Sequence, residues 1–152
     1  FNLIVEKYEI PIIFSTHPRT RKKIDASSLL LNKKIKLINP LSFSDYLNLQ
    51  INAKVVLSDS GTITEEASLL NICAITIRQT HERPEGMDET TVLMSGLSKD
   101  RIIQSIDLAI KHHKPNSNFS IINDYDVDNV SKKVCRLIYS YTDYVNNYIW
   151  KK

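Results

Sequence analysis

The chain has 152 residues, 42% of them hydrophobic and 24% charged, which fits one globular domain with an apolar core and excludes disorder and collagen-like repeats. Twenty Lys and Arg against 17 Asp and Glu leave a net charge of +3, too small and too evenly spread to call for nucleic acid or an anionic membrane as partner. No apolar run approaches the roughly 18 residues that a spanning helix needs.

Cys73 and Cys135 lie far apart. Cys73 sits inside an apolar run and reads as a small buried hydrophobe, in keeping with a reducing, cytoplasmic setting. No His, Cys and carboxylate cluster has metal-site spacing, so no metal is expected. Only three glycines occur, which leaves out the dinucleotide and P-loop fingerprints, each of which needs several, and no cofactor is expected. The opening residues Phe1 to Ile4 lack an initiator Met and the pattern of a signal peptide, so the expectation is a fragment or a processed chain.

Taken in chain order, apolar runs alternate with helical patterns. Residues 10–15 read as a strand entered through Pro11, followed by a polar turn over residues 17–20 and a short basic helix. Residues 35–38 form a second strand, closed by Asn39 and Pro40. Ser42 caps a helix through about Asn52, with Asp45 in capping-box position and Phe43, Tyr46, Leu47 and Ile51 spaced for contact with other elements. Residues 54–58 are a third strand, which turns at once into a helix over about 62–70. Residues 72–77 are a fourth strand, almost wholly apolar, as expected of a parallel strand covered on both faces. A polar loop over residues 78–89 leads to the short apolar run 91–94. Ser98 then caps a helix carrying Ile102, Ile106, Ala109 and Ile110 on one face, and residues 115–118 read as a surface loop. The last helix runs from about Val127 to Trp150 with an apolar stripe from Val130 to Ile149, while Tyr139, Tyr144 and Trp150 fall outside the stripe. This alternation predicts an α/β fold: a parallel sheet with helices on both faces.

In open parallel sheets ligands sit beyond the carboxyl ends of the strands, which directs attention to three segments. In the first, residues 59–62, Gly61 allows close approach to the backbone, and the helix start with the Ser60 and Thr62 hydroxyls suits a phosphate. The competing reading is a capping box from Thr62 to Glu65 and nothing more. The second, residues 78–89, holds Arg78 and Arg83, which suit a diphosphate, and Glu82, Glu85, Asp88 and Glu89, which suit sugar hydroxyls or the arginines themselves; a plain solvated loop competes with it. The third places His17 immediately past a strand end. His112 and His113, adjacent near a helix C-terminus, read as a solvated or dipole-stabilised pair.

The run from Asp59 through Ser60, Gly61, Thr62, Glu65 and Glu66 to Ala67, followed by the run from Arg78 through His81 and Arg83 to Glu85, resembles the paired signatures of the non-hydrolysing UDP-N-acetylglucosamine 2-epimerase family. The resemblance extends upstream to His17, Pro18 and Arg19 and covers nearly the whole chain. It implies a Rossmann-like fold, the second half of a glycosyltransferase-B-type pair, with residues 1–126 as the UDP-binding domain and 127–152 as a C-terminal helix that crosses to a missing N-terminal half. By the same resemblance Ser60, Gly61 and Thr62 hold the diphosphate, Glu66 the ribose hydroxyls and Tyr46 the uracil. His17 faces the reacting sugar as the catalytic candidate, and Arg78, Arg83 and Glu85 complete the substrate site.

Thr62, where a second glycine is usual, and His81, where threonine is usual, with residues 84–89 and 140–145, look like the capsule and O-antigen branch, which forms UDP-N-acetyl-L-fucosamine from a UDP-2-acetamido-2,6-dideoxy-hexose. The resemblance implies inversion at C2 of a UDP-amino sugar, with the key carboxylates in the absent half. The expected partners are the UDP-amino sugar, that other half and a second copy of the chain. A UDP-sugar glycosyltransferase half and a non-catalytic or split-gene fragment are the alternatives.

Overall fold

The computed structural model describes residues 1–113 and 121–152; the expected surface loop at 115–118 lies outside the described residues. Among these the strands are β1 (Ile12–Ser15), β2 (Ile35–Ile38), β3 (Val56–Ser58), β4 (Ala74–Thr76) and β5 (Leu93–Met94). The helices are α1 (Asn2–Tyr8), α2 (Pro18–Asp25), α3 (Phe43–Ile51), α4 (Ile63–Leu70), α5 (Pro84–Asp88), α6 (Lys99–His112) and α7 (Val130–Tyr144), the last continuing as a π-helical turn over Val145–Ile149.

Every strand pairing is parallel. β1 pairs β2 with Ile12 opposite Ile35, and β3, β4 and β5 pair in that order with Val56 opposite Ala74 and Ile75 opposite Leu93. Parallel neighbours need a crossover, and α2, α4 and α5 supply one between each pair. The two ladders are joined through side chains, since Ile12 of β1 packs into the apolar cluster that also holds Leu57 of β3.

Period-two alternation along the strands sorts the core into two layers. Leu57, Ile75 and Leu93 face one way and pack with Ile4 of α1 and Ile106 and Ala109 of α6. Val56, Ala74 and Val92 belong to the other layer, with Ile63 and Ala67 of α4. Ile63, Ile75 and Ile106 are the most deeply buried large side chains, at 0–1% exposure. Each contributes roughly 1.5–3 kcal/mol by leaving water. The expected parallel sheet with helices on both faces is therefore what forms, and Cys73 lies buried in it as a small hydrophobe while Cys135 is exposed.

Local chemistry explains several boundaries and corrects others. The turn expected at residues 17–20 is already the first turn of α2, because Pro18 sits where its missing N–H costs nothing and the His17 Nδ1 accepts from the Arg19 N–H at 3.2 Å. Ser42 caps α3 as expected: its Oγ accepts from the Asp45 N–H at 3.3 Å and donates to the Asp45 carboxylate at 2.7 Å. Phe43 and Ile51, expected to make contacts, are instead 74% and 55% exposed, and only Tyr46 and Leu47 of that set are half-buried. Thr62 and Ser98 occupy N-cap positions without making a side-chain cap bond, so the capping box at Thr62–Glu65 does not form.

No element was expected before Ile10, yet α1 forms because Ile4 and Tyr8 find apolar partners that only the fold supplies. Within the segment expected to be a loop, Pro84 starts α5. Gly86 is buried beneath α4 there, and a Cβ on it would meet the Thr64 Cγ2 at 2.1 Å. The Ile122 N–H donates to the Ser68 Oγ at 2.9 Å and ties the returning segment 121–125, which turns at 123–125, across α4. α7 has no buried residue: Val134, Leu137 and Ile138 of its stripe are exposed, as are Tyr139, Tyr144 and Trp150.

Candidate functional site

The expected site residues follow the carboxyl ends of three strands: His17 after β1, Ser60 to Thr62 after β3, and Arg78 after β4. The β3–α4 turn is organised as a directed hydrogen-bond chain. The Thr62 N–H donates to the Ser60 Oγ at 3.3 Å, the two hydroxyls share a bond at 2.9 Å, and the Thr62 hydroxyl donates to the Glu66 Oε1 at 2.9 Å. Since a hydroxyl has one proton, the Ser60 O–H is the donor to Thr62. The Glu66 Oε2 accepts from the buried Gln50 Nε2 at 2.5 Å. The loss of the capping box thus has a physical cause: Thr62 turns its hydroxyl to Ser60 and Glu66 and away from its own helix backbone.

Tyr46 lies one turn before Gln50 on α3. Burial pushes its phenol up from the ordinary value and the Glu66 charge adds to this, while the Gln50 amide works in the opposite direction. Gln50, Ser60, Thr62 and Glu66 therefore form one hydrogen-bonded group between α3 and α4, with Tyr46 half-buried one turn from Gln50.

Gly61 links this group to the second segment. A Cβ on Gly61 would lie 3.2 Å from the Glu82 Oε2, 3.6 Å from the Arg78 Nη1 and 3.9 Å from the Arg83 Nη2. Both arginines are paired. Arg78 holds Glu82 at 2.5 Å, which keeps that carboxyl below its usual range, and Arg83 holds Glu65 at 2.7 Å, which raises the guanidinium further. Glu85, expected among the substrate contacts, accepts instead from the Tyr125 hydroxyl at 2.7 Å. That bond lowers the Glu85 carboxyl, whereas burial first, and then Glu85, raise the Tyr125 phenol. His81 Nδ1 accepts from the Arg83 N–H at 3.0 Å and shapes the loop.

Tyr46, Ser60, Gly61, Thr62, Glu66, Arg78 and Arg83 are thus assembled around one turn, while His17 is anchored separately as the N-cap of α2. Sequence reasoning missed Gln50, Glu65 and Tyr125 as partners of these residues. Only Gln50 had a readable signal, its four-residue spacing from Tyr46 on one helix face. Among the described residues no group of His, Cys, Asp and Glu is placed to hold a metal, and no helix is long and apolar enough to cross a membrane. A small cavity lined by Cys73, Thr91, Leu108 and His112 lies at the amino-terminal end of β4, away from the site.

A parallel α/β sheet with polar loops gathered after its strands defines a Rossmann-like protein with a ligand edge. The family model described as UDP-N-acetylglucosamine 2-epimerase matches residues 1–139, and the chain belongs to that family. Among curated relatives, the UDP-N-acetylglucosamine 2-epimerase of Methanocaldococcus jannaschii is 38% identical over 70% of this chain and 30% of its own length. That of Methanococcus maripaludis is 36% identical over 74% of this chain and 32% of its own. The chain therefore spans about a third of the length of these relatives. Among solved structures, the Rickettsia bellii UDP-N-acetylglucosamine 2-epimerase is 44% identical with a TM-score of 0.84, over 99% of this chain and 42% of that one. The M. jannaschii enzyme in complex with UDP-GlcNAc and UDP is 32% identical with a TM-score of 0.76, over 91% of this chain and 38% of that one.

Proposed function

We propose that the chain is the C-terminal, UDP-binding half of an epimerase that inverts C2 of a UDP-2-acetamido sugar. The observation that carries this is the Ser60–Thr62–Glu66 chain beside Gly61, with Arg78 and Arg83 close over it. A relative of the same fold that binds UDP and UDP-GlcNAc supports it.

In this reading the diphosphate lies over Gly61 and takes the Ser60 hydroxyl and the Thr62 N–H. Arg78 and Arg83 exchange carboxylates for phosphate oxygens; Glu82, 54% exposed, holds Arg78 through an ion pair of the kind a dianion displaces easily. Glu66 accepts from the ribose diol and Tyr46 lies at the uracil. His17 sits on the sugar side. Glu85, bound to Tyr125, shapes the loop from behind.

Epimerisation removes the C2 proton while UDP leaves C1, giving a 2-acetamidoglycal, and then restores both with the proton on the opposite face. The residues of this half stabilise the departing diphosphate, and the acid and base carboxylates come from an N-terminal half to which residues 127–152 cross. The likeness of Thr62, His81 and residues 84–89 and 140–145 to the capsule and O-antigen branch supports a 6-deoxy amino sugar as the substrate. Purified chain alone is expected to show no deuterium wash-in at C2 of UDP-amino sugars in D2O, and wash-in should appear when the other half is supplied. Exchange by the chain alone, or sugar transfer in place of epimer formation, would refute the reading.

A further inference from the structure

Gln50 is only 3% exposed on α3, yet nothing apolar is gained by an amide there. Its Nε2 donates to the Glu66 Oε2 at 2.5 Å, while its Oε1 is buried without a partner. An orphaned carbonyl oxygen is a standing cost, and an apolar side chain of the same length would join α3 to α4 without it. The amide N–H is therefore the part of Gln50 that this position uses. Its effect on Glu66 is geometric. With Thr62 donating to Oε1 and Gln50 to Oε2, one bond falls on each oxygen, and the carboxylate plane is held from both sides with lone pairs left over for a ligand. Tyr46 closes the arrangement from the same face of α3, one turn away.

We propose that Gln50 is a positioning residue that aims the Glu66 carboxylate at a ribose diol, and so sets the preference of this site for a ribonucleotide over its 2′-deoxy counterpart. The inference rests on the assignment of Glu66 to the ribose. Gln50 reaches no ligand itself, since both its amide ends are enclosed by protein. A carboxylate free to rotate still binds a nucleotide by charge and proximity, but it loses the two-point match to vicinal hydroxyls.

Calorimetric titration of the full chain with UDP and with 2′-deoxy-UDP tests this. Glu66→Gln is expected to bring the two affinities together. Gln50→Met is expected to weaken UDP by about five- to tenfold while 2′-deoxy-UDP changes less than about twofold, with the melting midpoint kept. A Gln50→Met protein that keeps the parental ratio, while Glu66→Gln loses it, would overturn the positioning role and leave the ribose assignment standing. An unchanged ratio in Glu66→Gln would overturn both. Should Gln50→Met fold poorly, the side-chain amide resonance of Gln50 in the parent decides: it is expected to shift on adding UDP more than on adding 2′-deoxy-UDP, and equal shifts would refute the proposal.

Discussion

α4 and α7 are both amphipathic helices, and the fold treats them in opposite ways. α4 has eight residues, of which Ile63, Thr64, Ala67 and Ser68 are buried, and its other faces carry Glu65 to Arg83 and Glu66 to Gln50. α7 has fifteen residues and buries none. Its side-chain contacts are local, such as the edge-on pair Tyr141–Tyr144 and the tilted pair Tyr144–Tyr148. An apolar stripe is thus a demand for a partner, and α4 meets that demand within the chain while α7 does not. Fifteen residues of helix, about 22 Å long at roughly 1.5 Å per residue, is a large surface to leave uncovered.

The strongest way to break this contrast is a core truncation beside a stripe truncation. Ile106→Ala, which empties a fully buried position, should cost about 2–5 kcal/mol in denaturant unfolding. Leu137→Ala, 58% exposed on α7, should stay within about 0.5 kcal/mol. Equal losses would mean that α7 packs on the domain in solution.

Next in size is the ligand edge that α4 presents. Glu66→Gln should weaken UDP binding by about 1.5–3 kcal/mol, the range of a charge-assisted hydrogen bond, with the fold intact. Ser60→Ala should weaken UDP more than uridine, because its proposed partner is phosphate; equal losses for the two ligands would remove that assignment, and loss on Glu65→Gln in place of Glu66→Gln would move the ribose contact one residue along α4.

A smaller effect comes from Glu85 and Tyr125, which clasp α5 to the return segment. The folded protein holds the Glu85 carboxyl below its ordinary value of 4.5, so its contribution is present above that pH and is lost as the pH falls through the depressed folded value. The Tyr125 phenol is raised above its ordinary 10.0, so its contribution is complete below that pH and fades in strong alkali. Melting midpoints of parent and Glu85→Gln should differ at pH 7 and converge in acid; a constant gap down to pH 3 would show that the carboxylate charge is not what holds the clasp.

The least effect on stability is expected from deleting residues 140–152, and its consequence should appear in association. The exposed Tyr144, Tyr148, Ile149 and Trp150 are expected to make the parent self-associate or capture a separately supplied N-terminal half, with light scattering falling on deletion. A monomeric parent that gains no solubility on deletion and captures no such half would end the idea that α7 reaches a second surface.

Much of this was legible in the sequence because it depends on neighbours in the chain. Short apolar runs bounded by turn residues place β1 to β4, the Ser42 cap needs only Asp45 three residues on, and the order of elements forces parallel pairing. The strand-end location of Ser60, Gly61, Thr62 and Arg78 follows from the same order. The tertiary structure alone decided what depends on partners far along the chain. α1 is too short to stand by itself and exists because Ile4 meets Ile75 and Ile106. Thr62 gives up its capping box because Glu66 and Ser60 offer its hydroxyl better acceptor and donor positions than the helix backbone does. Glu65 and Glu66 are indistinguishable as letters, yet one turns to Arg83 and the other to Gln50, because adjacent helical residues point about 100° apart and only the packed neighbours determine which direction meets a cation and which meets an amide.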